Sequence, residues 1–450
     1  MFGISDSGVI DRHNVCIPSE IEFAGSLTVE NQAAKGAASY VNASGIEGSG
    51  ERKWIAWANK ILAAGLHPDV YGALFAREDL LDAARTATGY RDFGPMDFIE
   101  PLDILLDGYE QTSALNPIGR LAGRWYLMRL LCNRLRFEAI WQTDRDVDSR
   151  AVQRPIFILG LPRTGSTLLH EVLSLHPALR APSYWESTFT PGRDPMDLCR
   201  TAAAAGQIAL VNRMAPDLKG IHRLGARLPH ECVTIQAHTM RSIQFHAAHR
   251  VCAYNEWLQT CDWEPAYRWH RRYLEVLQGG GSEARWLLKA PGHMLGLKAL
   301  YRAYPDAIFI QLHRDPAEVI PSMASLSAAL RAAFTDSVDE SEIGRDTTDQ
   351  WSRGLTNTLR LRKQHTELDS RFIDIHYSEL ASRPMEVVGR ILDFTGLSAM
   401  TTFKRMVEDY LTRNKKGRYG HHEYSLSRFA LERSDLDANF ADYRAQHLRT

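Results

Sequence analysis

The stretch PIFILGLPRTGSTLLHEVL at 155–173 constrains the fold of this chain most. Its first six residues form an apolar run, long enough for a buried strand and too short for a helix. The segment Gly160 to Thr167, GLPRTGST, follows directly, and an apolar helical pattern starts near Thr167. Strand, tight turn and helix in that order gather backbone N–H groups at a helix N-terminus, where the peptide dipoles add partial positive charge. Gly160 and Gly165 permit the turn and the close approach of an anion. Arg163 adds a full charge, and Ser166 and Thr167 add hydroxyl donors. The segment reads as an anion-binding loop; a plain strand–turn–helix joint is the simpler alternative.

Three more short apolar runs follow, at Trp286–Lys289, Ile308–His313 and Phe372–His376. They are separated by helical patterns over 167–176, 293–304, 316–333 and 384–396. Strands alternating with helices predict a parallel sheet covered on both faces. Upstream, residues 1–50 are rich in Gly, Ser, Ala and Asn and read as a partly flexible tail. Over 51–150 the pattern is helical: Trp54, Ile55, Ala58, Ile61 and Leu62 recur at helical spacing, as do Leu74, Leu80, Leu81 and Ala84. Arg120 to Ile140 reads as an amphipathic helix with its arginines on the polar faces. Between about 190 and 282 the pattern is helical again, ending in three glycines, Gly279 to Gly281. The expected architecture is α/β: a P-loop-like parallel sheet flanked by helices over 151–450, with a helical insertion and a helical N-terminal region.

A formal net charge of −1 gives no support for general binding to nucleic acid or a membrane surface, so any anion site is local. Without a run of about 18 apolar residues, no membrane span is expected. The N-terminus MFGISDSGVIDRHNVC lacks a basic region followed by an apolar stretch, so a secretory leader is not expected and the chain reads as cytoplasmic. Six scattered cysteines read as reduced thiols. His246 with His249, and His421 with His422, lack a third ligand at metal spacing, so no metal is expected.

A Walker A loop would read G-x-x-x-x-G-K-[ST], and here Ser166 stands where that lysine belongs. Its absence removes the β/γ-phosphate contact of an ATPase or kinase. The segment Pro162-Arg163-Thr164-Gly165-Ser166-Thr167 instead resembles the sulfotransferases. In that family a P-[RK]-[ST]-G-[ST]-[ST] loop after the first strand binds the 5′-phosphosulfate end of 3′-phosphoadenosine 5′-phosphosulfate. The arginine, with Leu168-Leu169 and His176-Pro177, is similar to the bacterial and the tyrosyl-protein or carbohydrate branches. Three more landmarks follow in the family's order, and the resemblance runs from about 154 to 430. Arg314 and Ser322, in LHRDPAEVIPS, resemble the 3′-phosphate pair, since a guanidinium and a hydroxyl so spaced can share one phosphate. Lys415, Lys416, Gly417 and Arg418, in NKKGRYGH, resemble the late glycine motif that closes over the nucleotide. Tyr377, in IHYSEL, with LDFTGL at 392–397, resembles the stretch whose tyrosine lies near the adenine. Taken singly, these landmarks also fit an arginine–aspartate pair at a strand exit, a solvated basic loop and a core tyrosine.

Sulfuryl transfer needs charge stabilisation on the leaving phosphate, an in-line acceptor and a base. For charge stabilisation the candidates are Arg163 and Lys289; the lysine ends a strand, where such sheets open to ligands. The resemblance offers His293, in Lys289-Ala-Pro-Gly-His293, and Glu186, in SYWES, as the base, with Glu231, in PHEC, third. It implies 3′-phosphoadenosine 5′-phosphosulfate as co-substrate and no metal. Aromatic residues of the insertion, from Phe245 to Tyr273, belong to the core or line a pocket for an aromatic or lipid-like small-molecule acceptor that offers a hydroxyl or an amine. No nucleic-acid partner is expected, and a homo-oligomer is left open. Two other functions stay open: a nucleotide-dependent kinase on the same loop, and a non-catalytic nucleotide-binding protein.

Overall fold

In the computed structural model of the chain, five parallel strands form one sheet in the order β2-β3-β1-β4-β5. They are β1 (Ile156–Gly160), β2 (Leu179–Arg180), β3 (Arg285–Lys289), β4 (Ile308–His313) and β5 (Phe372–His376). The structure describes residues 58–62, 73–144, 146–147, 150–190, 197–215, 223–279, 284–414 and 425–448, all within one compact unit. Central β1 pairs with β3 from Ile156↔Leu287 and with β4 from Ile156↔Ile308 to Gly160↔Leu312. Every residue of β1 and β4 is buried, as expected of a parallel sheet covered on both faces.

Alternate residues along these strands serve two cores. Phe157, Leu159, Leu288 and Phe309 face the larger one, which also takes in the helices Arg77–Thr88, Ile99–Gln111, Pro117–Thr143 and Glu264–Gln278. Ile156, Ile158, Leu287, Ile310 and Leu312 face the smaller one, with Leu169, Val388, Ile391 and Phe403 from three later helices. The N-terminal helices thus share the core on one face of the sheet with the strand that feeds the glycine loop.

The Pro117–Thr143 helix departs from the expected amphipathic pattern. Asn116 caps it by accepting from Gly119 N at 2.8 Å, with Pro117 at the first helical position. Arg134, expected on a polar face, is buried with Leu130, Leu131 and Leu135. Its guanidinium donates to the carbonyls of Phe93, Pro95 and His238 and lies over Phe98 and Trp269. Burial lowers its pKa to about 10. Nearby, Glu138 accepts two bonds of 2.9 Å from Arg272. Other elements therefore cover the polar side of this helix too, and backbone carbonyls replace the water its arginine would have met.

Among the described residues no helix is long and apolar enough to cross a membrane, and the five cysteines there are unpaired. Trp54, Ile55 and the 415–418 segment lie outside the described residues.

Candidate active site

The glycine loop takes the shape its sequence calls for. Gly160 ends β1 at φ 123°, and a side chain there would put its Cβ 2.3 Å from the Leu312 carbonyl oxygen of β4. Gly165, at φ 82°, caps the Ser166–Leu173 helix, so the first N–H groups of that helix open onto the turn. Thr164 is fully buried and donates its hydroxyl to the Leu161 carbonyl at 2.7 Å. Arg163 adopts φ 61°, a left-handed conformation that costs a residue with a Cβ.

That backbone turn sends Arg163 towards the end of β4. Its Nε donates to Ser322 Oγ at 3.2 Å, and its carbonyl accepts from Arg314 Nη1 at 2.8 Å. Arg314 also lies 4.2 Å over the ring of Tyr377, the first residue after β5, and the Tyr377 ring packs beside Gly165. Arg314 and Tyr377, from two strand ends, and Ser322, from one helix, thus converge on the loop. The adjacent Asp315 does not pair with Arg314. It caps the Pro316–Arg331 helix and binds Arg433 and Arg444 instead. Arg314 has a different acid: Nε and Nη2 donate to Glu318 Oε2 at 2.9 and 2.7 Å. Glu318, which no sequence pattern singled out, stands in the first turn of the helix that Asp315 caps, four residues after Arg314.

On the other side of the loop stands Lys289, 3% exposed at the end of β3. Its ammonium is 3.4 Å from Thr167 Oγ1 and makes a short ion pair with Glu231. The chain fixes that carboxylate locally: Cys232 N donates to the Lys289 carbonyl at 2.9 Å, so residues 229–232 run along the strand end. Beneath Lys289, His170 Nε2 lies 3.3 Å from the Leu287 carbonyl. Burial, then the neighbouring Lys289 charge, push its imidazole down to about 3, so it is neutral.

The other two base candidates sit elsewhere. Glu186 closes a capping box: Oε2 accepts from Ser183 N and Oγ at 2.8 and 2.7 Å, while Oε1 accepts from Arg180 at 2.9 Å. His293 is fully buried in the larger core, its Nδ1 2.9 Å from the Tyr267 hydroxyl and its ring edge-on to Phe157. Burial drives its pKa well below the ordinary imidazole value. Most of the insertion's aromatics, Phe245, Tyr254, Trp263, Tyr267, Trp269 and Tyr273, are core residues. Among the described residues, metal-ligating side-chain types cluster at His313–Asp374–His447, where His313 immediately precedes Arg314, and at Cys252–Glu342–Asp346. In each a carboxylate already faces an arginine, Arg362 on Asp374 and Arg250 on Glu342.

The first strand of a parallel sheet thus runs into a glycine turn at a helix N-terminus, with an arginine–serine pair and a strand-end lysine beside it, an arrangement suited to holding an anion. Residues 155–401 match the Sulfotransferase family, and the chain belongs to it. It is a transferase that moves a sulfuryl group. Among solved structures, sulfotransferase STF1 from Mycobacterium tuberculosis H37Rv is 29% identical, with a TM-score of 0.72, over 82% of this chain and 98% of that one. STF9 from Mycobacterium avium is 25% identical, with a TM-score of 0.73, over 82% and 96%. A curated relative, the omega-hydroxy-beta-dihydromenaquinone-9 sulfotransferase Stf3 of Mycobacterium bovis, is 25% identical over 64% of this chain and 73% of its own length.

Proposed function

We propose that the chain transfers the sulfuryl group of 3′-phosphoadenosine 5′-phosphosulfate to a hydroxyl of a small hydrophobic acceptor. The observation that carries the donor is the link through Arg163, which joins the glycine loop to Arg314 and Ser322. A nucleotide with phosphates at both its 5′ and 3′ positions fits two anion sites held in one hydrogen-bonded unit. Pro162 to Thr167 take the 5′-phosphosulfate end, and Arg314 with Ser322 takes the 3′-phosphate. Tyr377 packs near the nucleoside, and the family resemblance assigns Lys415, Lys416, Gly417 and Arg418 to the same nucleotide. These assignments put donor binding and transfer in residues 151–450, with the helices of 51–150 as support.

Glu231 takes the part of the base because it lies against Lys289 beside the glycine loop, whereas Glu186 closes a capping box and His293 is enclosed by core side chains. The acceptor oxygen bonds to sulfur as the bond from sulfur to the 5′-phosphate oxygen breaks, and the hydroxyl proton passes to Glu231. Protonation ends the ionic hold of Glu231 on Lys289. The ammonium is then free to neutralise charge on the departing phosphate. Base and charge stabiliser are thereby coupled through one ion pair.

Two observations support a hydrophobic acceptor. The relative Stf3 is named for a menaquinone-type substrate. In this chain Leu121, Trp125, Leu198 and Leu210 are exposed on the helices Pro117–Thr143 and Asp197–Met214, which Arg129 and Gln207 join by a 2.7 Å bond. The unpaired cysteines support a reducing compartment such as the cytoplasm. Thermal-shift titration tests the donor: adenosine 3′,5′-bisphosphate should raise the melting temperature more than ATP–magnesium does. A larger shift with ATP–magnesium would favour a kinase.

A further inference from the structure

Glu318 holds the edge of Arg314 that a phosphate would use. A guanidinium offers its bidentate grip through Nε–H and one Nη–H, and in Arg314 both donate to Glu318 Oε2. The remaining bonded group, Nη1, is turned to the Arg163 carbonyl, and the flat face rests on Tyr377. Arg314 is therefore already oriented, by the loop on one side and an aromatic ring on the other, while its reactive edge carries a carboxylate. The Glu318 side chain is 56% exposed, against 25% for Arg314. An ion pair that open to water is weak enough to yield to a dianion. It remains close enough, four residues on in the first turn of the next helix, to return when the dianion departs.

We propose that Glu318 is a tethered competitor for the 3′-phosphate of the nucleotide, an inference that rests on the donor reading above. It acts through Arg314, keeping that arginine in place in the empty site and recapturing it as adenosine 3′,5′-bisphosphate leaves. Glu318 is thus a positioning residue that trades some donor affinity for faster release of the spent nucleotide. Its effect is confined to ligands that carry a 3′-phosphate, which separates it from a general contribution to surface charge.

The test is calorimetric titration of the full chain with adenosine 3′,5′-bisphosphate and with adenosine 5′-monophosphate, comparing wild type, Glu318→Gln, Arg314→Ala and the double variant. Gln matches Glu in size and in helix propensity, and a thermal melt of each variant verifies folding. Removing the competing carboxylate should tighten the bisphosphate about three- to fivefold, the factor expected for freeing an exposed ion pair. Displacement kinetics should show the bisphosphate leaving more slowly by a similar factor, with monophosphate affinity unchanged. In the Arg314→Ala background, Glu318→Gln should no longer matter. Equal tightening of both nucleotides, no tightening of either, or persistence of the effect without Arg314 would overturn the proposal. A wild-type chain that binds the bisphosphate no better than the monophosphate would instead overturn the donor reading beneath it.

Discussion

Arg314 donates Nη1–H to the Arg163 carbonyl at 2.8 Å, so the end of β4 is tied to the glycine loop that follows β1. Because Arg163 in turn reaches Ser322, a change at Arg314 should be felt mainly in nucleotide binding. Arg314→Ala is expected to weaken adenosine 3′,5′-bisphosphate by about 10- to 100-fold, the worth of a charge-assisted contact. Affinity for adenosine 5′-monophosphate should fall much less. Titration calorimetry with the two nucleotides checks this, and an equal loss for both would contradict a 3′-phosphate role.

Arg163 combines a strained backbone with a functional side chain, and two substitutions separate them. Both Arg163→Gly and Arg163→Ala remove the guanidinium and should lower turnover by on the order of 100-fold. Only glycine relieves the positive φ, which is worth about 1 kcal/mol. The glycine variant should therefore melt higher than the alanine variant by about 2 °C. Calorimetric melts alongside steady-state assays measure both effects, and identical melting temperatures would argue against stored strain.

The two glutamates should behave in opposite ways. Glu231→Gln is expected to cut kcat by about 100-fold or more while leaving donor affinity within about threefold, as for loss of a general base. Glu186→Ala should cost about 1–2 kcal/mol of stability through the lost capping box and leave kcat within about threefold. Urea unfolding and initial-rate kinetics on both variants test the assignment. A collapse of kcat in the Glu186 variant, with stability intact, would reverse it.

The parts of this site that the sequence made visible depend on neighbours along the chain. Apolar runs marked β1, β3, β4 and β5 because a buried parallel strand needs nothing else, and the glycine loop was legible because strand, turn and helix are contiguous. Two-residue β2 carries too little pattern to read. The Glu340–Gln364 helix was missed because its charged residues outnumber the buried Ile343, Trp351 and Leu355 that anchor it. Burial of Arg134 depends on carbonyls from three separate segments, which helix periodicity cannot register. The pairing of Lys289 with Glu231 joins residues far apart in sequence, held by a backbone bond from Cys232 to Lys289, and no local pattern registers it.

Acid should destabilise the fold through its buried histidines. Burial pushes His170, His238, His249 and His270 each down to about 3. In the unfolded chain they titrate near the usual value of about 6.5. Between those values the unfolded state binds protons that the native state refuses, so stability is full above about pH 6.5 and falls as the pH drops. Denaturant unfolding at pH 7, 6 and 5 should show this loss. His249→Phe, at a ring packed edge-on to Tyr109, should flatten the slope by about one proton. Equal stability at all three pH values would contradict burial of these rings in the neutral form.

Transfer of a sulfuryl group from a bisphosphate-leaving donor to a hydroxyl acceptor beside Lys289 and Glu231 is open to direct measurement. Mass spectrometry of a panel of hydrophobic alcohols, phenols and amines, incubated with the chain and 3′-phosphoadenosine 5′-phosphosulfate, tests it directly. A sulfated alcohol or phenol should form one-for-one with adenosine 3′,5′-bisphosphate and should be lost in Glu231→Gln. A phosphorylated product that requires ATP–magnesium, or undiminished sulfation by the Glu231 variant, would contradict it.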